Sequence, residues 1–286
     1  MIYISSSCVK ASSIKESVST LVDAGFRNIE LSGGTQYYPE FIQDLLELKA
    51  KHGLNYLLHN YFPPPTTHFV VNLASLNDEL FERSLTHCLN AIEISKKFGA
   101  PKYAVHAGFM IDIGINEIGK DLDKKELNDR GLSLARLQLG HEKLRSKAGD
   151  EVSLYFENNV LSQANFIKYG GINPLFLTDS LDYKAIINQF DFKLLLDVAH
   201  LFVSCGSLNL NFTEQINTLI GLTDYLHVSD NDGTADTNDY LDRNSPILRT
   251  IAEHDLQGKT ITLETYCSMD KIQESYETLK SILIQN

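Results

Sequence analysis

Short apolar runs alternate with longer stretches of helical periodicity along most of the chain. Residues such as Phe81, Leu85, Cys88 and Ile92 recur at intervals of three or four, which is typical of a helix with one face against a core. The apolar runs predict eight strands, near Tyr3–Ser5, Asn28–Leu31, Asn55–His59, Tyr103–His106, Ser153–Glu157, Lys193–Asp197, Tyr225–Val228 and Thr260–Glu264. The alternation therefore indicates repeated strand–helix units.

The helical segments between these strands support the same organisation. The clearest are Ile14–Ala24, Phe41–His52, Leu80–Phe98 and, at the end of the chain, Met269–Ile284. Strands that are apolar on both faces indicate a parallel sheet. Eight units in 286 residues favour a closed (β/α)₈ barrel (a TIM barrel) with outer helices over an open doubly wound sheet. We expect one domain over residues 1–286.

Two local features refine this expectation. No GxGxxG segment follows the first strand, which removes the main indication of a dinucleotide-binding fold. The longest connection, from Gly108 to Asp150, contains one helix and an insertion around Ile111–Leu122. An insertion that follows a barrel strand would lie over the catalytic face.

Composition and charge limit the kinds of partner and the cellular location that we expect for the protein. The net charge is −12 and no basic cluster occurs, which argues against a duplex nucleic acid as partner but leaves sugar phosphates open. The four cysteines form no CxxC pair and predict no disulfide framework. No segment approaches about 18 consecutive apolar residues, so we expect no membrane span. The N-terminus lacks a signal-peptide pattern, and we expect a cytoplasmic protein.

Six of the predicted strands end in an ionisable side chain directly after an apolar run. These residues are His59, His106, Glu157, Asp197, His227 and Glu264. The carboxyl ends of barrel strands converge on one pocket, so we expect the six side chains to lie together. Burying a carboxylate there is costly unless it is paired or metal-bound, and no strand end offers an Arg or Lys. Carboxylates and imidazoles without a thiolate suit Mn²⁺, Mg²⁺, Co²⁺, Fe²⁺ or Zn²⁺.

The sequence pattern gives less support for placing the other polar residues in or outside this pocket. His200 lies three residues after Asp197, so a turn would bring it over the same pocket. Glu30 near the end of the second strand could line the pocket or make a structural pairing inside the barrel. The remaining histidines fall in predicted helices or loops and are expected at the surface: His52, His68, His87, His141 and His254.

The motifs and their order resemble the xylose-isomerase-like barrel superfamily of sugar and sugar-phosphate isomerases and epimerases. That superfamily also contains the type-2 apurinic endonucleases. The likeness covers nearly the whole chain and is carried by Gly25–Leu31, His59–Pro64, His106–Gly108, Glu157-Asn158, Asp197–His200, His227–Asp230 and Glu264. Each motif alone is weak, whereas their order on consecutive strands is specific.

The resemblance implies a divalent-metal site and a set of roles. One metal would be held by Glu157, Asp197, His227 and Glu264. His59 and His106 would lie beside it, as ligands of a second metal in the nucleases or as substrate-binding residues in the isomerases. His200 would face the substrate.

One position departs from the nuclease pattern. In that pattern an Asp-x-His segment after the seventh strand completes a third metal site. The corresponding segment here is Asp236-Thr237-Asn238. Because asparagine is a poor zinc ligand, this departure argues against a cluster of three metals.

The resemblance, together with the paired glutamates and the acidic surface, implies a metal-dependent isomerase or epimerase acting on a sugar or sugar phosphate. Glu157 and Glu264, on opposite sides of the substrate, would exchange a carbon-bound proton beside a metal-polarised carbonyl. Three alternatives stay open: a phosphodiesterase acting at abasic DNA, a lyase that dehydrates a keto-inositol or similar substrate, and a binding barrel without turnover. The particular sugar and the oligomeric state are also open, although barrels of this kind often form homo-oligomers.

Overall fold

The eight strands form a closed parallel barrel in a computed structural model, which describes residues 1–285. Each strand pairs with the next along the chain, and β8 closes the ring on β1. The strands are β1 Ile2–Ser5, β2 Asn28–Leu31, β3 Asn55–His59, β4 Lys102–His106, β5 Ser153–Glu157, β6 Lys193–Asp197, β7 Tyr225–Val228 and β8 Thr260–Leu263. All eight predicted strands are present, and the predicted (β/α)₈ barrel is confirmed.

Helices surround the barrel. They are α1 Ile14–Asp23, α2 Phe41–His52, α3 Asp78–Phe98, α4 Arg130–Ala148, α5 Gln163–Lys168, α6 Ser180–Ile187, α7 Val198–Leu208, α8 Phe212–Leu219, α9 Pro246–Ile251 and α10 Met269–Gln285. The side chain of Asn77 accepts the Leu80 amide at the start of α3, and Gly99 ends that helix in the left-handed conformation. Among residues 1–285, no helix combines the length and apolar character needed to cross a membrane.

The apolar core has an inner and an outer part. Because strand side chains alternate between the two faces, one set fills the barrel interior. That inner layer consists of Tyr3, Leu57, Ala104, Tyr155, Leu195 and Tyr225. The larger apolar cluster contains the outward strand residues, such as Ile4 and Val105, together with the helices. The six polar strand-end residues follow the apolar parts of β3 to β8 toward their carboxyl ends.

The insertion after β4 is held against the rest of the barrel. Phe109, Ile111 and Leu122 join a separate apolar cluster that includes Leu161. The Nδ2 atom of Asn72 donates to the carbonyl oxygens of Phe109 and Ile111, at 3.1 Å in each case. The loop that leaves the carboxyl end of β4 is therefore tied down by both apolar and polar contacts.

Gly108, directly after β4, offers a test of this packing. Its φ is +83°, and an added Cβ would lie 2.8 Å from Ala74 Cβ and 3.1 Å from Asn72 Oδ1. We expect Gly108→Ala to lower the free energy of unfolding by about 1–3 kcal/mol, because it adds strain and overlap. Denaturant unfolding measures this. Gly25→Ala is the matched control, since its φ is +98° and a Cβ there meets no described atom within 4 Å. Equal losses in the two variants would show that the overlap has no effect.

Two histidines that were expected at the surface are buried. His87 on α3 has its Nε2 atom 3.3 Å from the carbonyl oxygen of Asn60, and burial lowers its pKa to about 4. His141 on α4 packs against the rings of Phe156 and Phe190. The expectation was wrong because both histidines lie on the inward faces of their helices, where a neutral imidazole packs as a flat, largely apolar ring.

Candidate functional site

The polar strand ends meet around one carboxylate, Glu157. Its Oε2 atom lies 2.7 Å from His59 Nε2 and 3.3 Å from His106 Nδ1. Its Oε1 atom lies 3.3 Å from His227 Nδ1 and 3.8 Å from His200 Nδ1. Glu157 is 1% exposed, so these four imidazoles are its main polar surroundings. The expected convergence of the strand ends is present in the structure.

Strand register explains why neighbouring ends lie at one level of the barrel. His106 pairs with Glu157 across β4 and β5, and Asp197 pairs with His227 across β6 and β7. Asn158 joins β5 to β6, because its Nδ2 donates to the Asp197 carbonyl at 2.9 Å and its Oδ1 accepts the Asp197 amide at 2.7 Å. The side chain of Asp197 also accepts the His200 amide at 2.8 Å and thereby caps α7.

Glu264 is the first residue after β8, and its carboxylate is held from one side. Ser7 Oγ donates to Glu264 Oε1 at 2.7 Å, and Tyr266 OH donates to the same oxygen at 3.1 Å. The other oxygen, Oε2, lies 3.3 Å from His227 Nδ1. The two hydroxyl groups therefore leave one oxygen of Glu264 facing the cluster.

The nitrogen between the two glutamates has the surroundings of a metal ligand. His227 Nδ1 lies 3.3 Å from Glu157 Oε1 and 3.3 Å from Glu264 Oε2, yet it makes no hydrogen bond to any described residue. An unpaired buried nitrogen is costly. Asp197, Glu157 and His227 can each offer a ligand atom within 4.8 Å of one another. These oxygen and nitrogen donors fit a hard or borderline divalent cation.

The pKa values of the carboxyl groups reflect this crowding. Burial opposes the ionisation of Glu157, but His106 and His59 outweigh it and hold its pKa well below the usual range. Burial opposes the ionisation of Glu264 as well, and the nearby His227 lowers its pKa to about 2. Burial raises the pKa of Asp197 to about 7, and Glu157 adds to that effect. A divalent cation would relieve the repulsion among the three carboxylates.

His59 and His106 form a second group of ligand atoms with Glu157. His106 Nδ1 is buried and makes no hydrogen bond within residues 1–285. Burial lowers the pKa of His106 to about 4, so the ring is neutral and its nitrogen is free to bind. Burial disfavours charge on His59, but Glu157 raises its pKa overall. The geometry is compatible with a second cation, and the number of metals stays a prediction.

His200 lies beside Asp197, as its position in the sequence predicted. Its Nδ1 is 2.9 Å from the carbonyl oxygen of Asn158, and its Nε2 is 3.3 Å from Asp236 Oδ2. Asn238 Nδ2 donates to that same Asp236 oxygen at 3.1 Å. In the Asp-x-Asn segment, Asn238 therefore holds Asp236 through its amide NH₂ group. The nitrogen of a neutral amide has no free lone pair to offer a metal.

Three residues of the cluster had little or no signal in the sequence. Ser7 lies just beyond β1 and Tyr266 just beyond β8. A single serine or tyrosine in a loop forms no sequence pattern that would predict a place in the site. Glu30 fits the strand-end pattern less clearly, because in β2 it follows a single apolar residue and is itself followed by Leu31. Its 0% exposure places it inside the barrel, in contact with His227.

Comparison with solved structures identifies barrels of the same architecture. A D-tagatose 3-epimerase-like protein is 18% identical with a TM-score of 0.72, covering 99% of this chain and 97% of that one. The D-psicose 3-epimerase from Clostridium cellulolyticum H10, solved with D-tagatose, is 13% identical with a TM-score of 0.68, covering 99% of each chain. Endonuclease IV from Thermus thermophilus is 15% identical with a TM-score of 0.65, covering 100% of this chain and 99% of that one. At such identities the likeness establishes the fold alone.

Comparison at the level of sequence agrees with the structural one. A search of the curated proteins finds no match. The family model described as the xylose isomerase-like TIM barrel matches residues 18–282, which is nearly the whole chain. The match spans the strand ends from β2 to β8 and confirms the superfamily that the motifs indicated. The chain therefore belongs to the xylose isomerase-like TIM barrel family.

Proposed function

We propose that the chain is a divalent-metal-dependent isomerase or epimerase of a sugar or sugar phosphate. The observation that carries the proposal is the convergence of two glutamates on one buried nitrogen, because an oxygen of Glu157 and an oxygen of Glu264 each lie 3.3 Å from His227 Nδ1. With Asp197, these residues would bind one metal. The structural neighbours named as sugar 3-epimerases support this assignment.

The chemistry of the proposal follows from the two ionised glutamates. A bound cation would act as a Lewis acid toward a substrate carbonyl and its adjacent hydroxyl. One carboxylate would remove the proton from the carbon next to the carbonyl and become a carboxylic acid. The other would first take up a proton from solvent water and then deliver it to carbon on the opposite side, so that solvent deuterium enters the product. The low pKa of Glu157 and of Glu264 keeps both ready to accept a proton at neutral pH. His59, His106 and His200 would contact the hydroxyl groups of the substrate.

Deuterium exchange tests this proposal directly. We expect protein loaded with Mn²⁺ or Co²⁺, incubated with ketoses or ketose phosphates in D₂O, to incorporate deuterium at the carbon next to the carbonyl. Protein treated with a chelator is the control. Analysis of the products separates the alternatives, since a lyase of the keto-inositol dehydratase type releases water. A metal-loaded protein that catalyses no exchange with any ketose would contradict the proposal.

Phosphodiester cleavage at abasic DNA is the second candidate, because endonuclease IV matches the chain over its whole length. Two observations oppose it: the net charge of −12, and Asn238 in place of the third-site histidine. We expect no cleavage of a duplex oligonucleotide with one abasic site, with or without added Zn²⁺. Gel electrophoresis of the labelled strand measures this. Zn²⁺-dependent cleavage that is absent from chelated protein would favour the nuclease instead.

A further inference from the structure

Glu30 is a carboxylate inside the barrel with an unusual set of partners. It is 0% exposed, and its contacts within the described chain include no Lys or Arg. Tyr225 OH and Thr262 Oγ1 both donate to Glu30 Oε2, the latter at 2.9 Å. His227 Nε2 lies 3.0 Å from Oε1 and 3.1 Å from Oε2. Inward positions of such barrels usually carry Val, Ile or Leu, so a buried carboxylate here calls for an explanation.

The contact with Glu30 determines which nitrogen of His227 is protonated. A carboxylate oxygen surrounded by hydroxyl donors accepts hydrogen bonds, so His227 Nε2 must carry a proton and donate it. In the neutral imidazole the lone pair is then on Nδ1. That atom is the buried nitrogen between Glu157 and Glu264. Without Glu30, the proton could occupy either nitrogen and the ring could rotate.

We propose that Glu30 is a positioning residue for the metal centre, fixing the tautomer and ring orientation of His227 so that Nδ1 binds the cation. The inference rests on the metal site of the proposed function. A carboxylate that accepts the second N–H of a ligating histidine also makes the imidazole a stronger donor to the metal. Tyr225 and Thr262 in turn hold the carboxylate from the other side.

The surroundings of Glu30 distinguish this role from two others. A residue that serves only the packing of the barrel would have no effect on the affinity of the folded protein for metal. A residue that binds a metal itself would do so with His59 and His227, since these three can also offer atoms within 4.8 Å of one another. His59 Nδ1, however, is 3.9 Å from Glu30 Oε1, whereas His227 Nε2 is in direct contact. The contacts therefore favour positioning of His227.

Cobalt titration of Glu30→Gln tests the proposal. Glutamine keeps the size of the side chain and removes its charge, and we expect the affinity of metal-free protein for Co²⁺ to fall about 10–100-fold. The visible absorption of bound Co²⁺ should also change, because the imidazole is less firmly oriented. The matched control is Glu253→Gln, which makes the same replacement at an exposed residue outside the cluster. Its Co²⁺ affinity should stay close to that of the wild type.

The outcomes separate this proposal from the proposed function. Unfolding of the metal-free variants shows whether each one folds, and Glu30→Asp, which keeps the charge, should bind Co²⁺ more tightly than Glu30→Gln. Equal affinities in wild type, Glu30→Gln and Glu253→Gln would overturn the role of Glu30 alone. A Glu30→Gln protein that binds one fewer Co²⁺ per chain would make Glu30 a ligand and also overturn it. A wild type that binds no Co²⁺ would overturn the metal centre itself.

Discussion

Replacement of either Glu157 or Glu264 by glutamine is expected to reduce proton exchange between a ketose and D₂O by about 10²–10⁴-fold. Each carboxylate is held by contacts that keep it ionised: Glu157 by His59 and His106, Glu264 by His227. Glutamine preserves the shape of the side chain but cannot accept a proton from carbon. The rate of deuterium incorporation, followed by NMR with metal-loaded protein, measures the loss.

The control for this pair is a glutamate outside the cluster. Glu253→Gln changes an exposed residue beyond α9 and should leave the exchange rate unchanged. Each site variant should also be compared at saturating metal, because both glutamates are proposed ligands. Metal-dependent turnover that survives both substitutions would remove Glu157 and Glu264 from the chemistry and leave only a binding role.

Removal of the divalent metal is expected to abolish turnover and to destabilise the fold. The cation would lie among three buried carboxylates, and a ligand that binds only the folded state at about 100 times its Kd stabilises that state by about 2.7 kcal/mol. The measurement is the denaturant midpoint of the protein with a chelator and with added Mn²⁺ or Co²⁺. The activity should return when the metal is restored.

The Asp197→Asn variant tests whether the expected stabilisation by metal depends on this ligand. Asp197 Oδ1 caps α7 by accepting the His200 amide at 2.8 Å, and asparagine serves equally well as an N-cap. The substitution therefore keeps the local structure and weakens one ligand. We expect its unfolding midpoint to respond much less to added metal than that of the wild type. A wild-type midpoint that metal does not move would argue against a cation in this cluster.

Most of the barrel could be derived from the sequence because strand and helix periods are local properties. β2, β3, β5, β6 and β7 have the predicted bounds, and the other three strands shift by one residue at one end. The largest consequence of such a shift is at Glu264, which lies just beyond β8 rather than within it. Even so, its carboxylate joins the cluster, because the backbone continues in the strand direction and its amide donates to the Val228 carbonyl.

Only part of the candidate site could be predicted from the sequence pattern. Six of its seven proposed residues share a signal, an ionisable side chain at or near the end of an apolar run, and the seventh, His200, was proposed from its place three residues after Asp197. His87 and His141 were assigned wrongly to the surface, because a place within a helix does not by itself say which face a residue occupies. Ser7 and Tyr266, which bind the same oxygen of Glu264, had no signal at all. The Ser7 contact depends on how segments from opposite ends of the chain meet, and the Tyr266 contact depends on the path of the backbone after β8.

The sequence by itself determined the repeated strand–helix units, the polar strand ends and the departure at Asn238, since each depends on residue type and spacing along the chain. Only the tertiary structure decided which atoms face one another. Ser7 reaches Glu264 across 257 positions, and Glu30 reaches His227 across 197. Closure of β8 on β1 and the register of the strands bring such residues together. The direction in which His227 presents its two nitrogens follows from those contacts, and no local pattern encodes it.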